Sequence, residues 1–353
     1  MLAYALRRLL LMVPTLFLIT AVIFAVVKLA PGNPFSAARS SGEAAAAKMS
    51  PADYQALRAR YGLDRPWYVQ YARWLAGALA GSFGDSFSEK RPVSEVFFGK
   101  TPSAFSEGLG LWGGARAFVR RLFESKFGAT LFLNGLSLLL MAAVAVPLGL
   151  YSAVKKGGWV DRITGLVLYA LYSLPNYWIA VLLILLFGVT LRWLPFYGMH
   201  TENAGELGSW AYLWDALEHA ALPVVCLTYG SLAFMARFAR GTLLEVLGQD
   251  YIRTARAKGL PERTVVLRHG MRSALLPFIT LFGLLLPELV AGSVIIETIF
   301  SWPGLGQMYV KAIYTRDYPL ILAESLLGAL LVLAGTLLAD LGYAAADPRV
   351  RRA

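Results

Sequence analysis

The chain has 353 residues, of which 57% are hydrophobic and 16% charged, and its mean hydropathy is +0.56. Soluble domains carry about 25% charged residues, so this composition indicates a protein that faces lipid. The formal net charge of +11 would suit a nucleic-acid-binding protein, but much of the Lys and Arg lies beside apolar runs, where it orients membrane helices, so we expect no nucleic-acid partner.

Six apolar runs predict about six transmembrane helices. About 20 residues cross the roughly 30 Å of hydrocarbon in a bilayer, and most of the runs reach that length. In chain order the runs cover residues 9–27, 129–154, 163–191, 220–236, 273–296 and 318–339. The first run follows a basic start without a small-residue cleavage site, so we predict an uncleaved membrane helix.

Basic residues are distributed unevenly between the short connecting loops. The turn 155–162 and the segment 237–272 carry 11 Lys and Arg residues, whereas the loops 192–219 and 300–317 carry three. Short loops rich in Lys and Arg stay in the cytoplasm. The distribution therefore predicts a multi-pass protein with both termini cytoplasmic.

The long loop after the first run has structural signals of its own. Ser50 and the residues after it predict a helix start, and Gly62 predicts the end of that helix. Trp67, Tyr71 and Trp74 then recur at helical spacing, which predicts an amphipathic helix. Two locations for this second helix stay open: the membrane interface, or a small external domain.

The chain is thus predicted to have four parts. They are an N-terminal transmembrane helix (1–30), an external loop or small helical subdomain (31–128), a five-helix core (129–343) and a cytoplasmic tail (344–353). The stretch 92–126 mixes glycines, aromatic and basic residues, and its pattern indicates no role.

The segment 249–261 joins the fourth and fifth runs on the predicted cytoplasmic side. Asp250 suits an N-cap, and Gly259 with Pro261 ends the helix, which predicts a surface helix of about two turns. Three basic residues flank its surface: Arg253, Arg256 and Lys258. Small residues and cations suit docking into a groove of another protein. A basic loop held near anionic lipid headgroups is the alternative.

The segment 250–260, DYIRTARAKGL, resembles the cytoplasmic coupling motif, or EAA loop, of binding-protein-dependent ABC importer permeases. It is most similar to the dipeptide, oligopeptide and nickel branch, in which Arg253 and Thr254 replace the usual Glu and Ala. The similarity continues in order along nearly the whole chain, at 7–10, 31–34, 64–67, 84–87, 268–277, 297–306, 316–319 and 347–351. The stretch 95–123 looks longer than in typical members.

This resemblance implies an all-α polytopic protein with the type I ABC importer permease fold, in a prokaryotic plasma (inner) membrane. It implies a permease subunit of an importer for di- or oligopeptides or similar small solutes. The implied partners are a second homologous permease in a heterodimer, two cytoplasmic ATPase subunits, an extracytoplasmic solute-binding protein and the lipid bilayer. ATP and magnesium would bind to the ATPases, and this chain would hold no cofactor.

The resemblance also assigns a role in ATPase coupling to ten residues. They are Asp250, Tyr251, Arg253, Thr254, Ala255, Arg256, Ala257, Lys258, Gly259 and Leu260. In the implied mechanism, ATP binding closes the ATPases, tilts the coupling helices and opens the pathway outward.

Three polar residues in the apolar runs are candidates for the solute pathway. Glu288 lies within a predicted span, where an acid costs roughly 2.5–3.5 kcal/mol. Tyr172 and Asn176 cluster with Tyr177 and Trp178 around a proline and offer hydrogen bonds and flat apolar faces. Helix packing or interface anchoring is the alternative for this aromatic cluster.

The sequence predicts no catalytic residue and no metal site. The phosphate-binding Gly-x-x-x-x-Gly-Lys-Ser/Thr loop, His-Glu-x-x-His and Gly-x-Ser-x-Gly are all absent. Cys226 is the single cysteine and the three histidines are scattered in sequence, which excludes an intrachain disulfide and a cysteine cluster. Two rival functions remain: a secondary transporter or channel that uses Glu288 for ion coupling, and a membrane-embedded enzyme.

Overall fold

The computed structural model describes residues 2–30, 55, 59, 62–99, 123 and 125–346. The predicted helix start at Ser50, most of the stretch 92–126 and the motif at 347–351 lie outside the described residues. Helices dominate the described part, where the β pairing is limited to an isolated bridge between Asp85 and Pro92. The prediction of an all-α protein is confirmed.

The main helices of the described part carry the labels α1 to α13. They are α1 (Leu2–Leu29), α2 (Trp67–Leu79), α3 (Val93–Phe98), α4 (Lys126–Val154), α5 (Trp159–Tyr172), α6 (Asn176–Leu183), α7 (Ser209–Leu247), α8 (Asp250–Ala257), α9 (Met271–Leu285), α10 (Glu288–Ala291), α11 (Val294–Ile299), α12 (Leu305–Thr315) and α13 (Tyr318–Ala346). Two π-helical turns accompany them: Ile184–Thr190 continues α6, and Val265–Gly270 leads into α9.

Four of these helices are long and apolar enough to cross a membrane: α1, α4, α7 and α13. Two bent helix pairs meet the same criteria jointly. One is α5 with α6 and its π-helical turn, and the other runs from Glu262 to Leu285. Counting each pair as one span gives six candidate spans, which agrees with the number predicted from the apolar runs.

The third apolar run was predicted as one continuous span, and this detail is wrong. α5 ends at Tyr172, α6 begins at Asn176, and the two axes meet at 92°. Pro175 lacks an N–H group and disfavours helical backbone at the residue before it, which explains the break. The Tyr229 hydroxyl of α7 donates a hydrogen bond of 2.8 Å to the Leu174 carbonyl, so an acceptor released by the break is satisfied.

Contacts divide the chain into two compact units. The first unit contains Leu131–Pro303 and Ala334–Ala353, and the second contains Leu2–Thr130 and Gly304–Leu333. The four-part division inferred from the sequence follows composition rather than contacts, and its boundaries stay a prediction.

In the first unit, α4, α5, α7 and α9 share a buried apolar cluster. Met141, Leu168, Met235 and Phe278 belong to it, one from each helix. α4 and α7 approach closely at Gly149, where an added Cβ would lie 2.2 Å from the carbonyl oxygen of Ala236 on α7. Small residues permit such close backbone contact between membrane helices.

An ion pair connects the first turn of α5 to α7 within the first unit. Arg240 donates from Nε to Asp161 Oδ1 at 2.7 Å and from Nη2 to Asp161 Oδ2 at 2.9 Å. The Gly157 N–H also donates to Asp161 Oδ2 at 2.9 Å. This paired geometry is the strong form of an arginine–carboxylate contact. It fixes the basic turn 155–162 to the long helix α7.

In the second unit, the amphipathic helix α2 packs against α1. The Tyr71 ring makes edge contacts with Phe17 and Phe24, and its hydroxyl lies 2.9 Å from the Thr20 hydroxyl. Trp67, on another part of α2, is 65% exposed. The predicted helix is therefore present and lies along a membrane-type helix, and both predicted locations, the membrane interface and a small external domain, stay open.

The second unit also contains a buried carboxylate that organises a loop. Asp317 is fully buried, and its Oδ2 accepts hydrogen bonds from the Ser86 hydroxyl at 2.6 Å and from the Ser88 N–H and hydroxyl, both at 2.8 Å. A buried charge is tolerated when such donors surround it. Asp317 therefore holds the loop 86–88 beside the start of α13.

A neighbouring surface ion pair makes the stability of this loop depend on pH. Lys311 donates to Glu89 at 3.0 Å, and this hydrogen bond holds the pKa of Glu89 below its ordinary value of 4.5. A carboxyl group whose pKa is lower in the folded state than in the unfolded state stabilises the fold at pH values above its unfolded-state pKa. This stabilisation is lost as the pH falls through the folded-state pKa. Because Lys311 is largely exposed, the contribution is at most about 1 kcal/mol.

We therefore expect Lys311→Met to lower the Tm of the purified protein slightly at pH 7, with a difference from wild type that shrinks below pH 4.5. Thermal unfolding in detergent between pH 7 and pH 3.5 measures this difference. Lys90→Met is the matched control, since Lys90 is exposed in the same loop. A Tm difference for Lys311→Met that stays constant over the whole range would contradict the assignment.

Candidate functional site

The helix α8 has the length and exposure predicted from the sequence. It begins after Gln249, whose backbone is extended and whose carbonyl accepts the N–H groups of Ile252 and Arg253. Asp250 is therefore the first helical residue, and its prediction as the N-cap is wrong by one position. α7 ends with Gly248 as its C-cap, so the next residue, Gln249, takes the N-cap conformation of α8.

The C-terminal end of α8 lies where the sequence predicts it. The helix ends at Ala257, and the Gly259 N–H donates to the Arg256 carbonyl at 2.9 Å. Gly259 has φ of +73°, a conformation that glycine adopts without steric cost. Pro261 then starts the next segment in an extended conformation. The predicted stop signal is confirmed.

One face of α8 is buried in a small apolar cluster, here called the seat. Ile252, Ala255 and Val265 form the seat, and Leu247 packs against it. Ile252 is fully buried and Ala255 is 7% exposed. Ala255, one of the ten predicted coupling residues, faces the protein's own core, because helical spacing places it beside Ile252, and its role in coupling stays a prediction. The seat connects α8 to the end of α7 and to the turn before α9.

The other predicted coupling residues are exposed and share one surface, here called the α8 surface. They are Asp250, Tyr251, Arg253, Thr254, Arg256, Ala257, Lys258, Gly259 and Leu260. Arg256 donates twice to Glu262, from Nε at 3.1 Å and from Nη2 at 2.6 Å, and this carboxylate raises the pKa of the Arg256 guanidinium. The α8 surface is therefore charged, partly self-paired and open to a partner.

The three predicted pathway residues line one cavity in the first unit. Tyr172, Asn176 and Glu288 all border a space of about 490 Å³ between α4, α5, α6, α7, α9 and α10. Tyr177 and Trp178, which cluster with them in the sequence, are exposed elsewhere and are not among the lining residues. The structure brings the three candidates together, while their role in solute passage stays a prediction.

Two breaks in the helices position the polar lining. Asn176 is the first residue of α6, directly after the break at Pro175, and Gly230 of α7 leaves it room, since a Cβ there would lie 3.1 Å from Asn176 Oδ1. Glu288 begins α10, and its carbonyl accepts a hydrogen bond of 2.9 Å from Asn134 Nδ2 of α4. Helix interruptions thus place polar groups at the cavity wall, where irregular backbone is tolerated.

Four further polar residues line the cavity and were missed from the sequence. They are Asn134, Ser137, Ser231 and Ser293. Asn134 and Ser137 lie one turn apart in an otherwise apolar run, a pattern that suggests a polar stripe on one helix face. The combined lining of amides, hydroxyls and one carboxylate can bind a polar solute through hydrogen bonds.

The histidines are less scattered in space than in sequence. His200 Nδ1 lies 2.9 Å from Asp215 Oδ2, and His219 Nδ1 lies 2.8 Å from the Asp215 carbonyl oxygen. They meet because Asp215 and His219 are one helical turn apart on α7, and the loop before α7 carries His200 back to it. Among the described residues, no group of three His, Cys, Asp or Glu side chains has the geometry to hold a metal ion.

Comparison with known proteins gives a consistent result along the chain. A family model described as "Binding-protein-dependent transport system inner membrane component" matches residues 145–352. A second model, for the N-terminal part of the corresponding membrane component, matches residues 1–107.

Individual relatives match over 351 residues, which is 99% of this chain and 99% of each relative. The chain is 37% identical to the oligopeptide transport system permease protein AppB of Bacillus subtilis. It is 36% identical to a putative peptide permease protein of Brucella suis and 34% identical to the glutathione transport system permease protein GsiC of Escherichia coli.

These matches agree with the all-α fold, the candidate membrane spans and the motif at 250–260. The type I ABC importer permease fold implied by the resemblance is confirmed. The chain belongs to the family of binding-protein-dependent transport inner membrane components, as a multi-pass permease subunit of an ABC importer in the peptide and nickel branch.

Proposed function

We propose that this permease subunit forms part of an importer for di- or oligopeptides or similar small solutes. Its relatives include an oligopeptide transport permease and a glutathione transport permease, and both support this substrate class. The cavity in the first unit also supports it, because peptides present amide groups that the side chains of Asn134 and Asn176 can match.

In the complete importer, this chain pairs with a second, homologous permease encoded separately, and each permease docks one cytoplasmic ATPase. An extracytoplasmic solute-binding protein delivers the solute. Both termini of the chain lie in the cytoplasm, as the basic loops 155–162 and 237–272 indicate. ATP and magnesium bind to the ATPases, and this chain holds no cofactor and hydrolyses no ATP itself.

The observation that carries the proposed mechanism is the arrangement of α8. Its buried face is fixed to Leu247 and Val265, and its remaining residues form the exposed α8 surface. A partner that binds this surface and moves therefore displaces α7 and the segment leading into α9. Both α7 and α9 contribute residues to the cavity, among them Phe234 and Leu285. The seat is thus a mechanical connection between an ATPase and the solute pathway.

Energetically, ATP acts by binding more tightly to one state of the importer than to the other. A ligand with equal affinity for two conformations shifts no equilibrium. The closed ATPase pair must therefore make contacts with the α8 surface that the open pair does not make. Those contacts favour the outward-open cavity, and ATP hydrolysis removes them.

A charge reversal on the α8 surface tests this docking. We expect Lys258→Glu to lower both ATPase co-purification and ATP-dependent peptide uptake by at least about tenfold, because like charges at an interface cost several kcal/mol. The change leaves the fold intact, since Lys258 is exposed at the C-terminal end of α8. Uptake is measured in proteoliposomes that contain both permeases, the ATPases and the binding protein.

Lys156→Glu is the matched control, because it makes the same charge change at an exposed lysine in the turn before α5. We expect this variant to retain ATPase binding and uptake within about twofold. An equal loss in both variants would point to a general charge effect and contradict docking at α8. Uptake that continues without ATP in wild type would instead support the rival secondary transporter.

A further inference from the structure

The lining of the cavity in the first unit has one negative charge and no positive charge. Among the described residues that border it, Glu288 is the only Asp, Glu, Lys or Arg side chain. The remaining polar groups are neutral amides and hydroxyls. A cavity with this lining attracts a cationic group and offers additional neutral acceptors around it.

Glu288 has a fixed backbone position beside this space. It follows Pro287 and is the first residue of α10, and its carbonyl oxygen accepts a hydrogen bond from Asn134 Nδ2 at 2.9 Å. Asn134 also donates to the Leu289 carbonyl at 3.2 Å. Two hydrogen bonds from α4 thus hold the short helix that carries the carboxylate, while the side chain itself is exposed.

Arg237 contacts the cavity-lining residue Tyr172, and its guanidinium already interacts with other groups. The Arg237 guanidinium lies 5.7 Å from the centre of the Tyr172 ring and donates from Nε to the Ala233 carbonyl at 3.1 Å. Arg237 is not among the residues that line the cavity. A carboxylate in a cavity between membrane-type helices is costly unless it is paired. A solute cation is a partner that would offset this cost.

We propose that Glu288 binds the α-ammonium group of a peptide as it passes through the permease. This inference rests on the proposed function and names the group of the solute that the site recognises. An ammonium has three N–H donors, so the carboxylate accepts one or two, and neutral oxygens of the lining, such as that of Ser293, accept the rest. The permease therefore contributes to specificity by favouring peptides with a free N-terminus.

The contact must also be weak enough to release the peptide. Passage through a membrane protein requires binding that favours entry but still permits exit. A single carboxylate in a cavity that also contains neutral groups meets this requirement better than a site with several charges. Loss of the carboxylate should therefore slow uptake rather than trap the peptide.

The first experiment compares two peptides that differ only at the amino group. Trialanine and N-acetyl-trialanine are offered at saturating concentration to proteoliposomes that contain the complete importer with wild type, Glu288→Gln or Tyr177→Phe. For each peptide, the uptake rate of the variant is divided by that of wild type. The binding protein is the same in all samples, so its own preference for either peptide cancels in this ratio.

For Glu288→Gln, we expect the ratio for trialanine to fall about tenfold, as for loss of a hydrogen bond to a charged group. The ratio for the acetylated peptide should stay within about twofold of one. Tyr177→Phe, which removes a hydroxyl at an exposed position outside the cavity, should affect both peptides alike and weakly. Equal ratios for the two peptides in Glu288→Gln would overturn the proposal.

A direct chemical readout decides the matter even if the binding protein rejects the acetylated peptide. A water-soluble carbodiimide couples a carboxylate to an amine that contacts it. An amide C–N bond forms as one carboxylate C–O bond breaks; the leaving oxygen and two protons from the ammonium pass to the carbodiimide, which becomes a urea. With C-terminally amidated trialanine, we expect mass spectrometry to locate the adduct on Glu288, and to find none there with the acetylated peptide. Coupling to other carboxylates but not to Glu288 would overturn the assignment.

The two experiments separate failure of this inference from failure of the proposed function. If wild type shows ATP-dependent uptake of trialanine but Glu288→Gln has equal ratios and no adduct forms at Glu288, only the role of Glu288 is wrong. If wild type takes up neither peptide in the presence of ATP and a loaded binding protein, the peptide-importer function is wrong, and the ammonium site with it.

Discussion

Replacing Gly149 with leucine is expected to prevent α4 and α7 from packing and to leave little folded permease after extraction in detergent. A Cβ atom at this position would lie 2.2 Å from the Ala236 carbonyl oxygen and 2.8 Å from the Ala239 Cβ. Because backbone atoms block the new side chain, a rotamer change cannot relieve the clash. Overpacking costs about 1–3 kcal/mol and occasionally more, and we expect the upper end of this range here.

Gly135→Leu is the matched control for this prediction. Gly135 lies on the same helix, and no described atom comes within 4 Å of the position that its Cβ would take. Leucine also favours helix more than glycine does, so this change should be neutral or slightly stabilising. Size-exclusion chromatography and thermal unfolding measure the outcome. Equal monodisperse yields from the two variants would mean that the contact between α4 and α7 opens without cost.

Replacing Ile252 with aspartate should separate α8 from its seat and reduce ATP-driven uptake about a hundredfold. Ile252 is fully buried among Ala255, Val265 and Leu247, none of which can pair with a carboxylate. Burying an unpaired charge costs several kcal/mol, so α8 is expected to leave the seat instead. The membrane helices keep their own buried cluster, which does not include Ile252. Membrane insertion and yield should therefore stay near those of wild type.

Ile252→Val provides the control, because it keeps the seat apolar and removes a single methylene group. This change costs about 0.5–1.5 kcal/mol in a core, and we expect uptake within threefold of wild type. ATPase co-purification and peptide uptake are measured for both variants in the complete importer. Uptake at the wild-type rate by Ile252→Asp would contradict a mechanical role for the seat.

Local signals in the sequence predicted local structure well. The end of α8 depends on Gly259 and Pro261, whose conformational preferences are set by their own covalent structure, and the helix ends where they predict. The start of α2 after Pro66 and its aromatic spacing are likewise properties of adjacent residues. The family assignment followed from motifs distributed along the chain, and the comparisons confirm it.

Features that depend on partners distant in sequence were predicted less well. The sharp break at Pro175 was missed because proline often persists within a membrane helix. The carbonyl of Leu174 at this break is satisfied by the Tyr229 hydroxyl, which comes from another helix. The burial of Ala255 depends on Val265, which comes from the next segment of the chain. Asn134 was missed because an apolar run does not reveal which of its faces borders a cavity.

The length of α7 gives the seat a further consequence. From Pro223, the proline within this helix, to Leu247 at the seat, α7 contains no further proline and extends about 36 Å at 1.5 Å per residue. Phe234, at the cavity, lies about 20 Å along this lever from Leu247. A tilt of roughly 10° about the seat would move the cavity wall by about 3 Å. For comparison, neighbouring extended backbones in a β-sheet lie about 4.8 Å apart. A small rotation imposed by an ATPase is thus amplified into a displacement on the scale of a peptide backbone.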